Sequence, residues 1–327
     1  MEAACHHSAV TTRPAPAVLA QYTRSGLVEG VHVGHAVVVD STGAVVRAWG
    51  DPEHMIFPRS SNKPAQAAAM VAAGLDVPTP LLALAASSHS GEDMHLAAVR
   101  DLLARAGLDA DALQTPADYP LDPQERDAWL SAGRAPEPIA MNCSGKHAAM
   151  LLTCVVNDWP VATYRLPEHP LQQAVRVQLE VLAREPVVHV GTDGCGAPVM
   201  SLTVAGLARM MSSCVRGGTD SPGGRVAAAM TAFPDLVGGS RRDVTSFMRA
   251  VPGLVAKDGA EGVYVAALAD GTAVAIKVED GSDRGRRVAL AAILVGLGVD
   301  PGALEEHLRL PVSGGGAVVG HVESTLA

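Results

Sequence analysis

Residues 254–280 read LVAKDGAEGVYVAALADGTAVAIKVED. Runs at 254–259, 262–270 and 272–280 are rich in Val, Ala and Ile, and short Gly-containing turns divide them. β-Branched residues suit a pleated surface. Connections this short join antiparallel neighbours, since a parallel crossover takes about a dozen residues or more. The stretch is therefore read as a three-stranded meander. Upstream, residues 35–50 (HAVVVDSTGAVVRAWG) place two β-branched runs on either side of Ser-Thr-Gly, a hairpin signal.

Helical patterns fill the space between these strand groups. One helix is expected from Ser60 to Gly74, with Ser60 and Ser61 suited to the N-cap and Pro64 tolerated in the first turn. An apolar helix follows over 80–90 and an amphipathic one over 92–106. Residues 107–140, rich in Asp and Pro, read as a long surface excursion. The run KHAAMLLTCVVN (146–157) is apolar on every side, which predicts a central buried helix. A short strand is expected at 186–192, helices around 199–211, 224–233 and 240–250, and a last helix at 284–297. Residues 158–185 receive no element. Residues 1–30 read as a loose arm, and the tail as partly ordered strand or loop. The two strand groups can join in one antiparallel sheet flanked by helices, an α+β fold, with residues 1–327 forming a single domain. By analogy, the same order of elements occurs in the serine β-lactamase and glutaminase fold.

Composition bounds the function. The chain has 327 residues and is 48% hydrophobic but only 3% aromatic, so its core must be built from Ala, Val, Leu and Met. Its formal net charge is -9, and it has no basic run. A nucleic-acid partner therefore lacks both electrostatic attraction and stacking groups. No apolar run reaches the roughly 18 residues of a membrane span, and the first residues lack the pattern of a signal peptide. Five sparse cysteines, an odd number, argue against a disulfide framework and suit a reducing cytoplasm. Among 25 basic residues only Lys63, Lys146, Lys257 and Lys277 are lysines. Arginine keeps its proton at working pH, whereas a buried lysine can lose it, so lysines in an arginine-using chain are candidates for chemistry.

Five polar segments interrupt the apolar pattern. Ser60 and Lys63 are three apart, a spacing that puts a weak hydroxyl nucleophile within reach of an amine base on one helical face. By itself the pair also reads as a cap and a solvated lysine. The cluster SSHSGE (87–92) ends an apolar helix and reads as a pocket wall or as a polar turn. In NCSGKH (142–147), Cys143 sits at a helix start, where a thiolate is favoured, with Lys146 and His147 close by, or it is a small core residue. In GTDGCGAP (191–198) a strand runs into a Gly-rich loop that reads as a ligand-meeting loop, with Asp193 able to hold an amino group, or as a tight turn. In KDGAEG (257–262) a strand lysine precedes Gly, as in the K-[ST]-G element of serine β-lactamases, with Asp258 in place of Ser or Thr, although by itself the segment reads more simply as a surface lysine before a hairpin turn. Lys277 has no such neighbours. No C-x-x-C or H-E-x-x-H is present, and Cys5-His6-His7 in the arm reads as adventitious.

Together, RSSNKPAQ, SSHSGE, NCSGKH, TDGCGAP and KDGAEG, in that order, resemble the L-asparaginase family first described from Rhizobium etli. The resemblance runs from about residue 20 to the C-terminus, and Ser87 in place of a motif alanine is its one departure. It implies a β-lactamase-like fold, a homodimer and hydrolysis of L-asparagine to L-aspartate and ammonia. It implies Ser60 with Lys63 and Ser88 with Lys257 as two catalytic pairs, and Arg59, His147 and Asp193 as substrate-binding residues. It also implies a zinc site of Cys143, Lys146 and Cys195. The competing expectations are a serine glutaminase or other amide hydrolase, and a non-catalytic thiolate-metal binding protein.

Overall fold

The computed structural model describes residues 14–326. Its strands are β1 (Ala17–Arg24), β2 (Leu27–Val39), β3 (Val45–Trp49), β4 (Met55–Ile56), β5 (Val190–Thr192), β6 (Pro198–Met200), β7 (Leu202–Thr203), β8 (Val255–Gly259), β9 (Val263–Ala267), β10 (Ala273–Val278), β11 (Arg309–Gly314) and β12 (Ala317–Ser324). Its helices are α1 (Lys63–Ala72), α2 (Thr79–Ala85), α3 (Asp93–Arg105), α4 (Pro123–Ser131), α5 (Ser144–Val156), α6 (Pro170–Ala183), α7 (Val204–Arg216), α8 (Pro222–Ala232), α9 (Pro234–Gly238), α10 (Asp243–Ala250), α11 (Asp283–Gly296) and α12 (Glu305–Leu308).

The meander expected at 254–280 is present as β8, β9 and β10, paired antiparallel with Lys257 opposite Val265 and Val265 opposite Ala275. β10 then pairs with β2, joining the two strand groups into one sheet of order β11-β12-β1-β2-β10-β9-β8, with β3 on β2. All of its pairings are antiparallel, so the α+β class read from the sequence holds. Successive strand residues point to opposite faces, yet Ala273, Val274, Ala275 and Ile276 are all buried. Both faces of the central sheet are therefore covered, and α7 and α11 are the helices packed on it. The remaining helices build a layer in which α1 contacts α5, α6, α7 and α8. The core is dominated by Ala, Val, Leu and Met, as the scarcity of aromatic residues requires. Among the described residues no helix is long and apolar enough to cross a membrane.

Several local expectations are corrected. Residues 17–24 and 27–30 are strand where a loose arm was expected, because β1 pairs with both β2 and β12, while β2 runs on into the expected hairpin strand. Residues 1–13, with Cys5-His6-His7, lie outside the described residues. The helix expected from Ser60 begins as a 3-10 turn over Arg59–Asn62 and becomes α-helical at Lys63, with no side-chain cap from either serine. The unassigned stretch 158–185 contains α6, whose Leu171, Val175, Leu179 and Leu182 are buried at helical spacing. The excursion at 107–140 carries α4, and the tail forms the hairpin β11–β12.

Candidate active site

The 3-10 turn bearing Ser60 lies against the end of β8. The approach is close: a Cβ on Gly259 would meet the Pro58 carbonyl at 2.7 Å and the Ser61 amide nitrogen at 3.2 Å. Arg59, next to Ser60, has φ +54°, a left-handed conformation that costs a non-Gly residue energy and recurs at functional sites. Ser60 and Ser88 line a cavity of about 210 Å3, with Asn142, Arg242, Asp258 and Gly259 among the other walls.

Lys63 is buried at the start of α1. Its Nζ donates to the Ser87 carbonyl at 2.5 Å and to Ser88 Oγ at 3.0 Å. The lysine expected to serve Ser60 is thus hydrogen-bonded to the serine of the other expected pair. Ser60 Oγ makes no hydrogen bond among the described residues. Lys257, fully buried on β8, does not bond to Ser88 either. Its Nζ donates to Asp258 Oδ1 at 2.6 Å and to the Asp258 carbonyl at 2.8 Å. Burial brings its pKa down to about 8; Asp258 opposes this, while Lys63 and Arg242 add to it.

A second cluster lies beside this one. Cys143 precedes α5, and its Sγ donates to Asn142 Oδ1 at 3.1 Å. Lys146 Nζ donates to Cys195 Sγ at 3.3 Å. The neighbouring Cys195 thiol holds the Cys143 thiol well below its usual range. Burial opposes this, and the charges of Lys63 and Lys146 reinforce it. Cys195 is pushed up, first by Cys143 and then by burial. Burial works against the Lys146 ammonium, but the charges of Cys195, Cys143 and Asp193 outweigh it and raise its pKa. His147, brought down to about 4 chiefly by burial, pairs through Nδ1 with the Tyr164 hydroxyl at 2.7 Å, and its Nε2 is left without a hydrogen bond. Asp193 Oδ1 accepts from Arg59 Nε at 2.7 Å and from the Gly194 amide at 2.8 Å. Burial pushes the Asp193 carboxyl up, but Arg59 and Lys146 keep it below its ordinary value. Arg59 and Asp193, both expected to bind substrate, are therefore each other's partners here.

A family model described as L-asparaginase II matches residues 20–324. The chain belongs to the L-asparaginase II family. The search of curated proteins finds no match. Among solved structures, the chain is similar to a β-lactamase from Mycobacterium bovis (17% identity, 80% of this chain and 94% of that one, TM-score 0.46). It is also similar to a Bacillus glutaminase (13% identity, 81% and 91%, TM-score 0.35) and to EstCE1, a hydrolase with promiscuous acyltransferase activity (14% identity, 79% and 93%, TM-score 0.38).

In this L-asparaginase II family member, sequence reasoning missed Arg242 and Arg286, which also line the cavity. They sit at or near helix starts in arginine-rich runs, where nothing separates them from surface arginines. Asn142 lay inside a quoted motif, but its wall position follows only from the fold. One further cluster lies apart from the site. Among the described residues, His35, His54 and Glu279 are the only trio of His, Cys, Asp or Glu whose ligand atoms lie within 4.8 Å of one another. The Asp51 amide donates to His35 Nδ1 at 2.8 Å, so the neutral ring carries its proton on Nε2, the atom 3.3 Å from Glu279. A metal ligand would need that nitrogen bare, and the trio is better described as a cluster in which Glu279 lies 3.3 Å from His35 Nε2 and 3.4 Å from His54 Nε2.

Proposed function

We propose that this family member hydrolyses L-asparagine to L-aspartate and ammonia through a seryl acyl-enzyme. The observation that carries the reading is the cavity in which Ser60 and Ser88 meet, with buried Lys63 hydrogen-bonded to Ser88. Ser60, whose hydroxyl is unpaired, attacks the carboxamide carbon. Its proton passes to the couple of Ser88 and Lys63, which returns a proton to the departing ammonia. Water then attacks the ester along the same route and releases aspartate. Asp193 still has Oδ2 for the α-ammonium of the substrate, while Arg59 holds Oδ1 in place.

Cys143, Cys195 and Lys146 form a sulfur-rich donor set with one thiol already favoured as thiolate, which suits zinc. Lys146 would have to give up its proton to bind, so affinity would fall in acid. A bound zinc would supply positive charge beside the substrate's carboxylate.

A specific contact supports a second assignment within the same chemistry. Lys63 touches Ser88 directly, so Ser88 could be the acylated residue. Purified protein should release ammonia from asparagine faster than from glutamine, with and without added zinc. The preference rests on one methylene, a difference of about 1–3 kcal/mol. Ser60→Ala should reduce release by at least about 10³-fold while leaving the melting temperature unchanged. Peptide mapping after trapping with a slow ester analogue should place the acyl group on the Ser60 peptide. An adduct on the Ser88 peptide would exchange the two serines' roles, and no ammonia from either amide would sink the reading.

A further inference from the structure

Arg242 has no part in the chemistry proposed above, yet it joins the elements that carry it. It is the residue before α10, and its side chain reaches the cavity wall with 18% exposure. Nη1 donates to the Ser88 carbonyl at 2.5 Å, and Nη2 donates to Asp258 Oδ2. The other oxygen of that carboxylate, Oδ1, accepts from Lys257 Nζ. One buried carboxylate is thus divided between an arginine and a lysine, and the arginine is also tied to the main chain of Ser88.

A lysine alone with a buried carboxylate stays an ammonium. A carboxylate shared with a guanidinium, which keeps its charge, holds that ammonium less firmly. We propose that Arg242 is a positioning residue for Lys257: by occupying Asp258 Oδ2 and the Ser88 carbonyl, it keeps Asp258 between two cations and leaves Lys257, next to cavity-lining Asp258, free to give up its proton as a base. The part this gives Lys257 in turnover, beyond the roles of Ser60, Ser88 and Lys63, rests on the amidohydrolase reading.

The groups facing this line give the sign. Lys257 sees Asp258 from its own strand, Lys63 from α1 and Arg242 from the start of α10. Asp258 is faced by Arg242, Lys257 and Arg286 of α11. Asp243 and the Tyr264 hydroxyl lie in the same surroundings. Losing Arg242 removes a cation and returns the whole carboxylate to Lys257, so the lysine holds its proton to higher pH. Neutralising Asp258 does the opposite.

With only four lysines in the chain, lysine labelled with 13C at Cε gives a sparse spectrum. The Lys257 resonance is the one lost in Lys257→Met. Its titration should move up by about one pH unit in Arg242→Gln and down by a similar amount in Asp258→Asn. Arg242→Lys, which keeps the charge, should titrate close to wild type and guards against misfolding in the glutamine variant. The acid limb of kcat/KM for asparagine should move in the same directions. Unchanged titration in both Arg242→Gln and Asp258→Asn overturns the proposal even if activity falls. A titration that moves while the acid limb stays fixed overturns the catalytic part assigned to Lys257. A wild type that releases no ammonia overturns the amidohydrolase reading instead, because the titration is read without substrate.

Discussion

Lys63, Lys146 and Lys257 are 1%, 1% and 0% exposed, whereas Lys277 reaches the Glu261 carbonyl near the surface. Lysine scarcity in an arginine-using sequence thus pointed to three buried amines, because only lysine can be buried and still exchange its proton. Which serine each amine meets was not legible. Spacing places Ser60 and Lys63 together on a helix, but the 3-10 turn and the fold bring Lys63 to Ser88 across 25 residues. Gly259 shows how finely that turn is held. Its φ is ordinary, so only crowding opposes a side chain. In Gly259→Ala the new methyl would meet backbone of the Ser60 turn at 2.7 Å. A displacement near 1 Å at a reacting group costs about 10²-fold in rate. Gly259→Ala is therefore expected to lower kcat by about that factor with little change in melting temperature. Unaltered kcat would mean that the turn has slack.

The missed element, α6, lacks the usual opening signal. Its cap is His169, whose Nδ1 accepts from the Leu171 amide at 3.1 Å, in place of Ser, Thr, Asp or Asn. Its apolar stripe is also blurred by Val177 and Val181, both exposed. The opposite case is α4, where Asp122 before Pro123 caps the Gln124 and Glu125 amides. The same carboxylate accepts from Arg241 Nε at 3.0 Å and Nη2 at 2.8 Å, tying the excursion to the residue next to Arg242. Asp122→Ala should cost about 1–2 kcal/mol, as for a lost N-cap. The pH dependence follows from the carboxyl's depressed pKa, caused first by the Arg241 bond. A lowered folded pKa gives stability that is complete above the unfolded value near about 4 and fades as pH falls through the folded one. Urea midpoints of wild type and variant should differ at pH 7 and converge toward pH 3. A gap that stays constant between those pH values would show that the carboxylate's charge plays no part.

At the scale of the whole molecule, the sheet closes with strands from opposite ends of the chain, and this was the least legible feature. β1 pairs with β12 at Ala20–Ser324 and Tyr22–Val322, 300 or more residues apart in sequence. Local pattern cannot report such pairing, and exposed Val18, Leu27 and Val31 make the edge look like an arm. The pairing nevertheless reaches the site. Ala20, Val312 and Val322 bury Val288 of α11, and α11 also carries Arg286. Arg286 Nη1 donates to the carbonyls of Gly259 and Val263, at 2.8 Å each, holding the turn after β8. Removing residues 309–327 uncovers Val288 and leaves β1 unpaired on one edge. Losing the burial of Val312 and Val322 alone corresponds to about 3–6 kcal/mol. If α11 transmits that loss, the truncated chain should melt lower and hydrolyse asparagine more slowly even well below its melting temperature. A truncated chain with a lower melting temperature but full kcat at low temperature would show that the hairpin stabilises the sheet without positioning the turn.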